Sequence, residues 1–186
     1  MGNNQDNNRG SRIPSLQREV AVPNAFWQSV QGRYFAGQGD LLLFGEGSNA
    51  WCGLFNPPGS DEDVYLDTFT VTNYTQVPID CDFWLNTNPP DRGSLSNQVS
   101  PANTAFIPAP RPNARIRSEQ EVCDFPVGGV NVLSLIVPAR NSLVSEQEGK
   151  FIIPPGGNCV LFLHSPCDPY VARARVCFGW WESACP

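Results

Sequence analysis

Apolar and polar side chains alternate with a period of two in several short segments, which is typical of half-buried β-strands. In residues 79–85 this alternation predicts that Cys81 points inward and Trp84 outward. In residues 171–181 it places Trp180 on the core face, and Cys177 and Trp181 on the opposite face. Residues 63–75 are rich in β-branched and aromatic residues and form the best strand candidate.

Turn-forming residues separate these segments throughout the chain. Gly and Pro number 16 and 18 among 186 residues, which disfavours long helices. Residues 86–113 form a proline-rich connection in which 104–107 could pair briefly, and Asn24 is placed to cap one short helical turn. We therefore predict an all-β fold of eight or nine strands, a two-sheet sandwich with the jelly roll favoured.

Residues 1–22 differ from the rest in being rich in Asn, Gln, Arg and Ser. We predict an N-terminal arm over 1–22, disordered alone, and a β-sandwich domain over 23–186. The arm either stays a plain tail or adds to the sheet edge of a neighbouring copy. Its candidate assembly residues are Ile13, Leu16, Val20 and Val22.

The net charge is -6, and the twelve Lys and Arg residues are scattered rather than clustered. This argues against nucleic acid as a partner. No apolar run approaches the length needed to span a bilayer, and the N-terminus lacks a secretory signal pattern. We therefore expect synthesis in the cytoplasm without membrane insertion.

Seven cysteines are many for a chain without an export signal. Their odd number leaves at least one thiol free or bonded to another chain. The cysteines are too widely spaced for a zinc site. We therefore expect them to form interchain cross-links once the protein reaches an oxidising environment. The candidate cross-linking residues are Cys167, Cys177 and Cys185.

Catalytic chemistry has little support in this sequence. His164 is the only histidine, and no nucleophile motif accompanies it, so a strand histidine is the favoured interpretation. The acidic residues Asp61, Glu62, Asp63 and Asp67 could hold Ca²⁺, but a solvated turn is commoner. We expect no enzyme activity, cofactor or metal.

Tryptophans offer a second class of function. Trp84, Trp180 and Trp181 could form a platform that binds glycans, or they could pack at a subunit interface. The two alternatives stay open at this point.

Three stretches, "VPNAFWQSVQGRYFAGQGD", "NAWCGLFNPPGSD" and "LVSEQEGKFIIPPGGNCVLFL", resemble an uncharacterised single-domain family of spore-forming Firmicutes. The resemblance covers about residues 20–165 and implies a β-rich fold. More loosely, the arm, the sandwich and the surplus cysteines are similar to endospore appendage subunits, which form disulfide-locked fibres. In those subunits the arm itself carries cysteines, whereas residues 1–51 here contain none.

Together these patterns favour a structural protein that assembles with itself into a spore-surface or extracellular filament or coat. Arm insertion and interchain disulfides would hold the assembly, and a spore-surface protein could anchor it. A carbohydrate- or surface-binding module is the alternative.

Overall fold

The computed structural model describes residues 21–166 and 171–184. Within these residues the chain forms one helix and twelve strands. Their bounds are α1 Asn24–Val30, β1 Tyr34–Gln38, β2 Leu42–Phe44, β3 Asn49–Phe55, β4 Glu62–Asn73, β5 Ile79–Leu85, β6 Ser94–Leu95, β7 Val99–Pro101, β8 Arg115–Val122, β9 Val130–Val137, β10 Ser142–Ile153, β11 Asn158–His164 and β12 Ala172–Ala184.

The strands form two six-stranded sheets, and all the pairings between named strands are antiparallel. Sheet A has the order β10-β4-β12-β1-β7, with β2 also paired to β12. Sheet B has the order β6-β8-β3-β11-β5-β9. The prediction of an all-β two-sheet sandwich is therefore confirmed.

The core fills the space between the sheets, and the period-two alternation explains how. In β5 the side chains of Ile79, Cys81 and Phe83 are buried. In β12 the predicted inward face, which ends with Trp180, is buried from one end to the other. Aromatic contacts connect the sheets, since the rings of Phe69 in β4 and Phe83 in β5 stack with centroids 5.2 Å apart.

A tight turn at residues 45–48 carries the chain from one sheet to the other. Gly45 and Ser48 exchange backbone hydrogen bonds of 2.9 and 3.1 Å around Glu46 and Gly47. Both central residues have positive φ, 53° and 84°, as a type I′ turn requires. The two strands that flank the turn do not pair with each other, since β2 pairs in sheet A and β3 pairs in sheet B.

The outer face of sheet B carries a second apolar cluster. Trp51, Val122, Val160 and Phe162 are buried there, and Phe55 and Trp84 pack against them. Chain segments beside the sheet help to cover it: the indole Nε1 of Trp51 donates to the Pro90 carbonyl over 2.6 Å. The central strands β3 and β11 are therefore buried on both faces, which explains their continuous apolar runs.

A buried carboxylate connects the end of β12 to the residues just before β8. Glu182 is only 2% exposed. It accepts hydrogen bonds from the backbone N–H groups of Asn113 and Ala114 over 2.8 and 3.0 Å. The indole Nε1 of Trp180 donates to it over 3.0 Å. Three donors offset the cost of burying this charge.

Two local predictions were wrong. Asn24 does not cap the helix: Pro23 occupies the N-cap position, and the Asn24 amide oxygen accepts from Gln28 instead, over 3.4 Å. Residues 104–107 form no strand, and the short strands of this connection are β6 and β7. Pro23 takes the N-cap position ahead of Asn24. Pro101 and Pro108 flank residues 104–107, and proline lacks the N–H that strand pairing needs.

Trp181 lies on the outer face of sheet A as predicted, yet it is only 4% exposed. Its ring stacks on Tyr65, with centroids 5.4 Å apart and planes 5° from parallel. A bulge in β10 between Glu146 and Phe151 brings Gly149 over the same ring. A covered outer tryptophan therefore depends on a glycine in a distant strand.

We expect Gly149→Ala to destabilise the fold. Gly149 has φ +75°, and a Cβ there would overlap the Trp181 ring. Left-handed strain and overpacking together should lower the free energy of unfolding by about 2–4 kcal/mol, measured by urea denaturation. Gly59→Ala is the matched control, because a Cβ at Gly59 meets nothing within 4 Å. Equal stability of both variants would contradict the described packing.

Candidate assembly surface

The two long edge strands of the sandwich, β9 and β10, lie on the same side of the molecule. They are consecutive in the chain, and each pairs on one side only within the described residues. The opposite edges are β6, with two residues, and β7, with three including Pro101. Short strands and proline are common protections of a sheet edge. The β9–β10 side lacks both of these protections.

Strand β9, VNVLSLIV, contains no charged residue and no proline. Its outward side chains Val130, Val132 and Ile136 are 61%, 38% and 67% exposed. Leu133 and Leu135 pack against the core, so the strand is anchored while its free edge faces solvent. A long, uncharged and apolar edge is a site at which another strand can add. We call this strand the β9 edge.

Strand β10 is better protected than β9. It carries Glu146, Glu148 and Lys150, and its bulge interrupts the register between Glu146 and Phe151. Glu148 and Lys150 form an exposed ion pair of 3.4 Å. Charge and bulges both oppose strand addition, and β9 also has a register shift, at Val132 between the pairs Phe83–Leu133 and Trp84–Asn131. Because β9 carries no charged residue, the β9 edge is still the better candidate for assembly of the two long edges.

Most of the candidate arm falls outside the described residues. Ile13, Leu16 and Val20 lie there, and Val22 is described and 45% exposed. The helix that follows has no buried residue, and its Phe26 and Trp27 are 56% and 51% exposed. Apolar surface therefore continues from Val22 along α1.

The cysteines differ sharply in accessibility. Cys52, Cys81 and Cys159 are buried free thiols, and burial raises the pKa of each, that of Cys159 to about 12. Cys177 is half-buried, and burial raises its pKa too, although Arg175 opposes the rise. Because the thiolate is the reactive form, all four are poor cross-linking groups.

Cys123, which sequence reasoning did not single out, is the exposed thiol of the described residues. It follows β8 in a loop, and the loop's Phe125 packs on Phe162 with ring centroids 5.1 Å apart. No periodic pattern surrounds Cys123, so the sequence gives no signal of its exposure. Of the three predicted cross-linking residues, Cys167 and Cys185 lie outside the described residues.

The three candidate tryptophans do not form one platform. Trp84 lies in sheet B, half-buried with its Nε1 lacking a partner, whereas Trp180 and Trp181 lie in sheet A. Trp180 is 0% exposed and Trp181 is 4% exposed. The outward availability that we expected of Trp181 was wrong, because the β10 bulge covers the ring. In this fold neither the Trp180 ring nor the Trp181 ring is exposed enough to stack on a sugar.

His164 lies between two carboxylates on the outer face of sheet B. Its Nδ1 is 3.7 Å from Asp80 and its Nε2 is 3.5 Å from Asp82. The nearby hydroxyl of Ser134 donates to Asp82 over 2.6 Å. The Asp82 side chain thus connects strand β5 to His164 in β11 and to Ser134 in β9. These contacts fit the interpretation of His164 as a strand histidine with polar partners.

A comparison with known families matches residues 11–185 to DUF6143, a family of unknown function. The chain belongs to this family. Neither the curated proteins nor the solved structures contain a match to it. In the described part of this DUF6143 protein, no group of three or more His, Cys, Asp or Glu side chains is arranged to hold a metal ion. No helix described there has the length and apolarity to cross a membrane.

We expect thiol labelling of the native protein to separate the cysteines by burial. Cys123 should react fastest and Cys177 more slowly. Cys52, Cys81 and Cys159 should react on the order of 1,000-fold more slowly than Cys123, because they need the fold to open. Peptide mass spectrometry after timed alkylation measures the rates, and labelling in denaturant supplies the control. Rapid native labelling of Cys159 would contradict its burial.

Proposed function

We propose that this DUF6143 protein is a structural subunit that assembles with copies of itself into a spore-surface or extracellular filament or coat. An arm from one copy adds to the β9 edge of another, and interchain disulfides lock the contact. The observation that carries this proposal is the exposed, uncharged eight-residue edge strand. The spore setting rests on the resemblance of the sequence to a family of spore-forming bacteria.

The arm has the length and composition to occupy the edge. Residues 13–22 would extend over roughly 33 Å at about 3.3 Å per residue, whereas the eight residues of β9 need roughly 26 Å. Ile13, Leu16 and Val20 supply apolar side chains, and backbone hydrogen bonds supply affinity that does not depend on sequence. Strand addition would also pair the free N–H and C=O groups along β9.

The contact is heterologous, because the arm of one copy meets the edge of the next. Such contacts grow into open polymers unless their rotation closes a ring. The exposed apolar surface of α1 favours the same arrangement, since Phe26 and Trp27 would be carried toward the neighbouring copy with the arm. A helix without buried residues is better explained in an assembly than in an isolated subunit.

Disulfides would make the assembly kinetically stable. Each bond joins two thiols, which release two protons and two electrons to molecular oxygen as the oxidant. Cys123 has the exposure this needs, and Cys167 and Cys185 remain candidates outside the described residues. Cys177 is the least suited of the proposed set, because it is half-buried and its pKa is raised.

The positions of the three tryptophans do not support the carbohydrate-binding alternative. It needs aromatic rings that are grouped and exposed, whereas Trp180 and Trp181 are buried and Trp84 lies in the other sheet. No described feature favours it over assembly.

We expect charges on the β9 edge to block polymer formation. The double variant Val132→Lys with Ile136→Lys places lysines on exposed positions, so it should keep monomer stability within about 0.5 kcal/mol. Polymers visible by electron microscopy and sedimentation velocity should be absent. The matched control is Leu95→Lys with Ile107→Lys, which changes apolar residues that are 59% and 97% exposed elsewhere. Normal polymers from the β9 variant would overturn the proposal.

A synthetic peptide of residues 11–22 tests the occupant of the edge. Added in excess to the full chain, it should slow polymer growth, whereas a scrambled peptide should not. Polymerisation that is indifferent to the peptide would show that another segment fills the edge.

We expect oxidised assemblies to give a ladder on non-reducing gels that collapses to one band on reduction. Cys123→Ser should shorten the ladder, whereas Cys177→Ser should leave it unchanged because that thiol is half-buried. A single band under both conditions would remove the covalent part of the proposal and leave strand addition untouched.

A further inference from the structure

Two adjoining hollows surround Tyr74, just beyond the end of β4. One, of about 240 Å³, is lined by Leu41, Tyr74, Arg173 and Arg175. The other, of about 380 Å³, shares Tyr74 and Arg173 and adds Arg140 and Val171 among its walls. Together they form an open groove with apolar walls and three guanidinium groups. We call it the arginine groove, defined by Leu41, Tyr74, Arg140, Val171, Arg173 and Arg175.

The arginines of this groove have no acidic partner among the residues that the structure describes. None of Arg140, Arg173 and Arg175 forms an ion pair within the described parts of the chain. The Nε of Arg175 is buried and has no hydrogen-bond acceptor. Three neighbouring guanidinium groups without counter-charges are unfavourable, and so is a buried N–H donor without an acceptor. An anionic ligand would correct both deficits.

Guanidinium groups bind carboxylates and phosphates through paired hydrogen bonds. Carboxylates on a polypeptide suit this groove better than an isolated anion, because Leu41, Tyr74 and Val171 add apolar walls beside the charges. These side chains are 40%, 42% and 51% exposed, so they also have surface to bury.

The chain itself carries an acidic segment, residues 61–63, at the other end of β4. Asp61 is exposed there, and neither Asp61 nor Asp63 belongs to an ion pair of the described residues. Burial, followed by repulsion from Glu182, raises the pKa of Glu62, whereas the Asn113 amide opposes the rise by donating to the Glu62 carboxylate over 2.9 Å. The twelve residues of β4 separate the two ends by roughly 37 Å.

We propose that the arginine groove of one copy binds the acidic segment of a second copy. The inference deepens the proposed function, on which it rests, by giving the polymer a head-to-tail contact and a direction. Because the groove and the acidic segment lie at opposite ends of the same strand, the acidic segment of one molecule cannot reach that molecule's own groove. The contact is heterologous and extends along the strand axis.

This contact is compatible with arm insertion. The acidic end also carries α1, since Arg33 accepts a backbone hydrogen bond from Glu182 and Tyr34 lies opposite Trp181. The groove end carries the turn between β9 and β10, since Arg140 lies in that turn. When the acidic end of one copy stacks on the groove end of a neighbour, the arm of the first copy lies near the β9–β10 turn of the neighbour. Both long edge strands of the neighbour start or end at that turn.

Charge reversal tests the contact. Arg173→Glu should raise the concentration needed for half-maximal polymerisation at least tenfold, and Asp61→Lys should do the same. Combining both changes in one chain should restore most of the assembly, because the charges are exchanged. Arg92→Glu is the matched control, an exposed arginine outside the groove. Polymerisation of Arg173→Glu equal to that of the control would overturn the inference.

A cross-link identifies the occupant directly. Arg173→Lys keeps the positive charge and supplies an amine that carbodiimide couples to a nearby carboxylate. Mixed ¹⁴N and ¹⁵N full-length protein should give cross-linked peptides that join position 173 to Asp61 or Asp63 between copies. Coupling only to other carboxylates, or equal inhibition of assembly by inorganic phosphate and by a peptide of residues 58–65, would overturn this choice of occupant.

The two proposals fail in distinguishable ways. If the β9 variant blocks polymers and Arg173→Glu does not, the edge contact stands and the groove contact falls. If the unmodified chain never polymerises but the cross-link forms, the proposed function falls, whereas the contact between copies survives.

Discussion

The edge strands of an open sandwich leave backbone N–H and C=O groups unpaired. How each edge is protected determines whether another chain can pair with it. A closed barrel has no such problem, because its last strand pairs with its first. Here two edges end in strands of two and three residues, and a third carries charges and a bulge. The fourth, β9, has eight residues without a charge, although it too contains a register shift. The proposed self-assembly depends on this asymmetry, since an unprotected edge on a stable fold is either an aggregation hazard or a binding surface.

Residue patterning was sufficient for the sandwich and for the direction of most side chains. Period-two alternation in β5 and β12 correctly predicts that Cys81 and Trp180 lie in the core, because a pleated strand turns successive side chains to opposite faces. Strands β3 and β11 are continuous apolar runs that are buried on both faces. The second apolar face cannot be predicted from such a run, because the run does not reveal what covers it.

The parts of the candidate site that the sequence did not reveal depend on contacts between distant segments. Trp181 has the predicted face, but a bulge more than thirty residues earlier in the chain covers it. Cys123 is exposed because of the course of an irregular loop, which no local pattern encodes. The arginine groove combines residues from the ends of β4 and β12 with the turn before β10, so only the folded chain brings its charges together.

The position of β12 has a consequence for how the chain is made. This strand lies in the middle of sheet A, between β4 and β1, although it follows every other strand in the sequence. Ribosomes release a polypeptide from its amino end, so β1 and β4 emerge long before the strand that separates them. Sheet A is thus completed only when residues 172–184 have been translated, and pairing over such long sequence separations is slow. Until then the nascent chain offers additional open strands to chaperones and to other nascent copies.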